Sequence, residues 1–89
     1  MSKKHKVSFV NKAAGDLDDL SDSDYERIMR GCLRLEVDPS PDGKHVKKQQ
    51  GFKNLYRLRV GDYRVLFQWE DSGVTVIRVL TRQDFGKRF

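Results

Sequence analysis

The sequence predicts an α+β domain of order β-α-α-β-β-β, a small antiparallel sheet with two N-terminal helices packed on one face. Three observations lead there. Residues 55–82 hold runs rich in aromatic and β-branched residues, split at turn residues, whose alternate positions carry five arginines, the pattern of half-buried strands. Residues 13–37 instead repeat apolar side chains at helical spacing, and a short alternating stretch, Lys6-Val-Ser-Phe-Val10, precedes them.

Lys6 to Val10 is expected to join the sheet as an edge strand. In the first helix Ala13, Ala14, Leu17 and Leu20 share a face, and Gly15 weakens it by about 1 kcal/mol relative to alanine. Ser21 or Ser23 would cap the second helix, each with an acidic residue three positions on, Asp24 or Glu26, and acids in the first turn suit the positive end of the helix dipole. Its expected apolar stripe is Tyr25, Ile28, Met29, Cys32 and Leu33, with Val37 at its end, and Pro39 and Pro41 stop it. Asp42 to Lys53 is polar and basic and is expected as a loop, the mobile rim of any site.

Leu55-Tyr-Arg-Leu-Arg-Val60 and Tyr63-Arg-Val-Leu-Phe-Gln-Trp69 flank Gly61-Asp62, a dipeptide suited to a tight primed turn. With Val60 opposite Tyr63, Arg59 meets Arg64, Leu58 meets Val65, Arg57 meets Leu66 and Tyr56 meets Phe67. One face then carries Tyr56, Leu58, Val60, Tyr63, Val65, Phe67 and Trp69, the other Arg57, Arg59 and Arg64. Asp71-Ser72-Gly73 is expected as a three-residue loop with Gly73 left-handed, setting Glu70 opposite Val74, Phe67 opposite Ile77, Val65 opposite Val79, Leu66 opposite Arg78 and Arg64 opposite Leu80. Arg78 and Arg82 would join the basic face. Slipping by one residue would bury an unpaired arginine against Phe67. The tail, Gln83 to Phe89, is either a frayed half-turn or a segment that docks Phe85.

Eighty-nine residues make one domain, 1–89; 37% are apolar and 35% charged, polar for a globular chain yet too periodic for a disordered one. Cys32, the lone cysteine, excludes an internal disulfide and fits a buried small hydrophobe. No apolar run approaches transmembrane length and no secretory segment opens the chain, so a cytoplasmic protein without membrane contact is expected. Charge is divided. Asn11 to Gly43 holds four basic residues (Lys12, Arg27, Arg30, Arg34) and nine acidic, while Lys44 to Phe89 holds eleven basic and four acidic (Asp62, Glu70, Asp71, Asp84). A basic half on a small domain is an electrostatic footprint for nucleic acid, with solvated surface charge as the plain alternative. Two distant histidines and one cysteine match no zinc spacing, and Gly61 and Gly73 are isolated turn residues, so no metal and no cofactor is expected.

This element order, with Asp38-Pro39, Lys47-Lys48, Gly51, Leu55-Tyr-Arg-Leu-Arg-Val-Gly-Asp-Tyr-Arg-Val-Leu-Phe67 and Ile77-Arg-Val-Leu-Thr-Arg82, resembles the RelE/ParE superfamily of toxins from type II toxin–antitoxin operons. The likeness spans nearly the whole chain and is strongest in the first hairpin. It implies a toxin neutralised by a cognate antitoxin that wraps it, with promoter DNA bound only through the antitoxin complex. RelE-like members cut mRNA on the ribosome by 2′-OH attack on the adjacent phosphate; ParE-like members poison DNA gyrase. Carried over by position, Arg64 and Arg82 match the two arginines that RelE-like toxins set at the scissile phosphate, and Arg57 matches a strand lysine. Leu55 stands where a second lysine would be. After the second arginine RelE-like toxins usually carry a Tyr or His, whereas this chain has Phe85, Gly86 and Phe89, so the likeness supports phosphate binding better than proton transfer.

Internal transesterification of RNA needs a proton acceptor for the 2′-OH, a donor for the leaving 5′-oxygen and positive charge on the phosphorane. Arginines supply only the charge. Proton transfer is left to His45, Lys47, Lys48 or Lys53 before the hairpin, or to Asp84 after it, though loop lysines are ordinarily solvated surface. His5 belongs to a lysine-rich tail, and Tyr63 shares parity with the apolar face. For the arginines the plain alternative is that a sheet face uncovered by helices must be polar, with arginine stems covering Leu66 and Leu80. Arg59 directly opposite Arg64 argues against it, since like charges in register repel unless an anion lies between them.

The expectation is a ribosome-dependent mRNA endonuclease, metal-independent, with Arg64 and Arg82 catalytic and Arg57, Arg59, Arg78, Lys47 and Lys48 binding RNA, and with antitoxin, ribosome and mRNA as partners. The rival is a ParE-like gyrase inhibitor without nuclease activity. A further rival is a domain that has lost toxicity and persists as an operator-binding partner of its antitoxin.

Overall fold

A computed structural model describes residues 4–89. The elements are β1 (Val7–Phe9), α1 (Asn11–Asp18), α2 (Asp22–Val37), β2 (Val46–Lys48), β3 (Leu55–Val60), β4 (Tyr63–Glu70), β5 (Gly73–Thr81) and α3 (Arg82–Arg88). They form one five-stranded sheet, ordered β1-β5-β4-β3-β2. The α+β class and the N-terminal helical layer are as expected, with two additions, β2 and α3. The sheet is mixed rather than antiparallel, because β1 runs parallel to β5, with Val7 against Val74 and Phe9 against Val76.

The first hairpin pairs as the sequence dictates, from Val60 with Tyr63 through Arg59 with Arg64 to Tyr56 with Phe67. Only two residues separate the strands, so parity has no freedom. The second hairpin departs twice. Its loop is two residues, with Glu70 opposite Gly73, and a bulge between Leu66 and Phe67 sets Phe67 against Val76 instead of Ile77. The bulge reverses parity within β5: Val74 and Val76 on one side of it and Val79 on the other all enter the main core, while Ile77 turns to the opposite face beside Leu80. An unbroken ladder would have excluded Val74 and Val76 from that core. Gly73 has φ 131°, and a Cβ there would lie 2.6 Å from the Lys6 carbonyl oxygen. Glycine therefore lets β1 close onto β5.

Ser21 caps α2 by accepting the Asp24 N–H at 3.3 Å. The buried stripe of α2 is Ile28, Cys32 and Leu35; Tyr25, Leu33 and Val37 are exposed, a rotation from the stripe that spacing suggested. Gly31 explains how close the helix lies, since a Cβ there would meet Val60 Cγ2 at 2.8 Å and Leu58 Cδ2 at 3.2 Å. The main core joins Ala13, Leu17, Ile28, Cys32 and Leu35 to Leu58, Val65, Phe67, Val74, Val76 and Val79. Burial pushes the Cys32 thiol pKa up to about 12, which makes it inert packing.

On the other face Leu55, Leu66, Leu80 and Phe85 form a second, smaller core. Phe85 comes from α3, whose N-cap Thr81 accepts the Asp84 N–H at 3.1 Å. The tail thus docks as a helix, and only half of this face is open. No helix among the described residues is long and apolar enough to cross a membrane.

Candidate phosphate-binding cleft

The open half of the outer face belongs to β2, β3 and β4. Lys47 pairs with Arg57 and Arg59 with Arg64, and the Arg59 N–H donates to the His45 carbonyl at 2.8 Å, which extends the β2–β3 ladder to place His45 across from Arg59. Alternation then sends His45, Lys47, Arg57, Arg59 and Arg64 to one side. With Lys44 they line a cleft of about 160 Å³.

Arg64 lines it from β4, directly opposite Arg59. Arg64 Nη1 donates to the carbonyls of Tyr63 at 2.9 Å and Gly61 at 3.1 Å, so backbone oxygens fix the guanidinium while no carboxylate among the described residues pairs with it. Burial foremost, then the charges of Arg59, Arg82 and Arg57, push its pKa below the usual arginine value. Arginine stays charged even so, and the Asp62 charge offsets the three neighbouring arginines only in part. Arg57 is held differently: its Nη1 donates to Gln49 Oε1 at 2.9 Å and its guanidinium carbon lies 5.8 Å from the Phe85 ring centroid. Gln49, buried at 6% exposure, is a positioning residue that composition did not reveal. Arg82 opens α3, exposed, with its backbone N–H on the Asp62 carbonyl at 2.6 Å; its charge is the second arginine field felt at Arg64.

Three expected members do not line this cleft: Arg82 borders a separate hollow with Asp62, Thr81, Gln83 and Gly86, and Arg78 and Lys48 are elsewhere. Arg78 forms a two-pronged pair with Asp16, Nε to Oδ2 at 2.8 Å and Nη2 to Oδ1 at 3.1 Å, and Asp16 also accepts the Val79 N–H at 2.9 Å. The cause is the short β1, which pairs only with Val74 to Val76 and leaves an unpaired edge that Asp16 of α1 caps. Burial would raise the Asp16 pKa, but the Arg78 hydrogen bond, the Val79 N–H and the Arg78 charge together hold it below the usual carboxylate range. Lys48, opposite Tyr56, points to the helical face and away from the cleft. Among the proton-transfer candidates only His45 and Lys47 line the cleft; Lys53 is exposed on the loop before β3, and Asp84 lies in the first turn of α3. Tyr63 donates its hydroxyl to Asp24 Oδ2 at 3.0 Å and belongs to the helical face, as parity required.

The loop expected to be mobile is pinned. Asp42 Oδ1 accepts the N–H groups of Lys44, His45 and Val46 at 2.8, 2.7 and 2.9 Å, and its Oδ2 pairs with Arg34 at 2.7 Å. One carboxylate thereby sets the approach of Lys44, His45 and β2 to the arginines.

The fold is shared with known toxins. The chain is 30% identical to a partner in the archaeal RelE–RelB complex of Pyrococcus horikoshii OT3, at TM-score 0.74 over 89% of this chain and 96% of that one. It is 27% identical to a chain of the RelB–RelE antitoxin–toxin complex of Methanococcus jannaschii, at TM-score 0.73 over 91% and 96%. The isolated RelE toxin of E. coli shares the fold at 19% identity and TM-score 0.75, over 94% and 97%. A family model for the ParE toxin of type II toxin–antitoxin systems matches residues 7–84. By that match and by the relatives it resembles, the chain belongs to the RelE/ParE superfamily of type II toxins.

Proposed function

We propose that this RelE-like toxin is a ribosome-dependent endoribonuclease that stops translation by cleaving mRNA through attack of a 2′-OH on the adjacent phosphate. The supporting observation is Arg64, fixed by backbone carbonyls, without an acid partner among the described residues, in the combined field of Arg59, Arg82 and Arg57. Such a group is relieved by an anion, and a phosphorane carries more negative charge than the ground-state diester, so the field favours the transition state. Arg64 and Arg82 would hold the scissile phosphate, while Arg57, Arg59 and Lys47 hold the flanking strand. Dependence on the ribosome fits a cleft with few proton carriers, since bound rRNA and mRNA would supply orientation.

The partner is a cognate antitoxin, as in the complexes of the relatives, and acidic segments suit the cleft. Promoter DNA would be met only through that complex, and the site of action would be the cytoplasm. Translation in a purified system tests the reading: the parent chain arrests it with new mRNA 5′ ends, while Arg64→Ala and Arg82→Ala do not. Arrest by the variants at parental strength contradicts it.

A second reading, a ParE-like gyrase inhibitor, draws on α3, which offers Phe85 and Phe89 where a phenol or imidazole would aid cleavage. Inhibition of gyrase supercoiling by the purified chain, with intact mRNA, would select it.

A further inference from the structure

RNA cleavage in this cleft needs a base, and the one candidate on α3, Asp84, does not line it. Of the groups lining the cleft, Arg57, Arg59 and Arg64 are fixed cations, and Lys44 and Lys47 bring hydrogen-bond donors without an acceptor. His45 alone can accept a proton there.

His45 is also oriented. Its backbone is tied at both ends, N–H to Asp42 Oδ1 at 2.7 Å and carbonyl to the Arg59 N–H at 2.8 Å. Its ring places Nδ1 3.6 Å from Asp42 Oδ2, with the side chain 41% exposed. That distance is beyond a direct hydrogen bond, but a carboxylate charge on the Nδ1 side still favours the tautomer that carries its proton there, leaving Nε2 with a lone pair. Asp42 is itself secured: the Val46 and Lys44 N–H groups foremost, with those of His45 and the Arg34 charge, hold it far below the usual carboxylate range.

We propose that His45 is the general base of the cleavage, with Asp42 as its positioning residue, a role that rests on the nuclease reading above. His45 Nε2 removes the 2′-OH proton, and the 2′-oxygen forms a bond to phosphorus as the bond from phosphorus to the 5′-oxygen breaks. The leaving oxygen takes a proton from water, and His45 returns its proton to the resulting hydroxide. The products are a 2′,3′-cyclic phosphate and a 5′-hydroxyl end. The arginines neutralise the phosphorane and take no part in proton transfer.

The test is single-turnover cleavage of mRNA on programmed ribosomes with saturating full-length toxin, across a pH series. Charged groups facing the imidazole are Asp42 and Lys44 from its own loop, Arg34 from α2, Lys47 from β2, Arg57 and Arg59 from β3 and Arg64 from β4. His45→Asn keeps an amide where Nδ1 stands and so retains the Asp42 contact, while His45→Gln keeps one nearer Nε2. Both are expected to remain folded by circular dichroism and to bind ribosomes as the parent does, yet cleave about 100-fold slower or worse. They are also expected to lose the acid limb, the fall in rate toward acid pH that a histidine base predicts for the parent. Asp42→Asn should slow cleavage while retaining that limb. If either His45 variant cleaves within about threefold of the parent with its acid limb intact, His45 is not the base and the nuclease reading stands. If the parent leaves ribosome-bound mRNA whole, both fall.

Discussion

Arg64 and Arg78 lie on adjacent strands of one sheet, in one residue type, and meet opposite fates. Arg78 has two hydrogen bonds to Asp16, on a helix that caps a strand edge. Arg64 has carbonyls, three arginine neighbours and, among the described residues, no ion-paired acid, only the through-space charge of Asp62. The pairing of Arg78 is complete within the molecule, so it serves the fold. Arg64 is held in place yet left unneutralised, so its partner has to come from outside. What separates a structural from a functional arginine here is whether the chain folds its own carboxylate onto it.

The sharpest way to break this contrast is to remove each arginine in turn. Arg64→Ala should lose about 100- to 1,000-fold in mRNA cleavage, as for a lost transition-state donor, while its melting temperature stays level or rises because repulsion is relieved. Arg78→Ala should do the reverse, losing about 2 kcal/mol in urea unfolding while the folded fraction cleaves normally. Asp16→Asn should match Arg78→Ala and adds a pH signature. The Asp16 carboxyl is held below its ordinary value in the folded state, so its contribution is complete above the unfolded-chain value and fades as pH falls through the lower, folded one. Stability of the parent should therefore fall more steeply with acid than that of Asp16→Asn, and the two should converge in strong acid.

Much of the contrast was legible in the sequence, and the missing part has a physical cause. The ladder from Val60–Tyr63 to Tyr56–Phe67 follows from a two-residue turn and strict alternation, which alone bring Arg57, Arg59 and Arg64 together. Arg78 could not be sorted that way. Its acid partner lies 62 positions earlier, and only the shortness of β1 leaves the edge that Asp16 fills. The bulge at Leu66/Phe67 was equally hidden, because Ile77 carries no bulge signal of its own, although Val74 and Val76 needed a place in the core. Lys47 and Lys48 read alike in a polar stretch with no strand signal, yet 46–48 is a strand, so the two neighbours face opposite ways. α3 had a readable mark in Thr81 with Asp84 three positions on, a capping pattern.

Smaller effects sharpen the comparison within the cleft. Gln49→Ala should cost about 1 kcal/mol of stability through the bond lost to Arg57 and reduce cleavage several-fold less than Arg64→Ala does, since Arg57 also leans on Phe85. Thermal melts with cleavage assays on the same samples would show it. The least effect belongs to Gly15, which has open space where a Cβ would lie. Gly15→Ala should stabilise α1 by about 0.5–1 kcal/mol, and with it the Asp16 side of the contrast, leaving activity unchanged.

The most direct test is the salt dependence of binding to a 2′-deoxy oligonucleotide that cannot be cleaved, measured by fluorescence anisotropy for the parent, Arg64→Ala and Arg78→Ala. An unneutralised arginine that grips a single-stranded phosphate contributes about 0.7 to the slope of log affinity against log salt, so Arg64→Ala should lose about that much and Arg78→Ala none. Equal slopes for Arg64→Ala and the parent, or a loss confined to Arg78→Ala, would contradict the account.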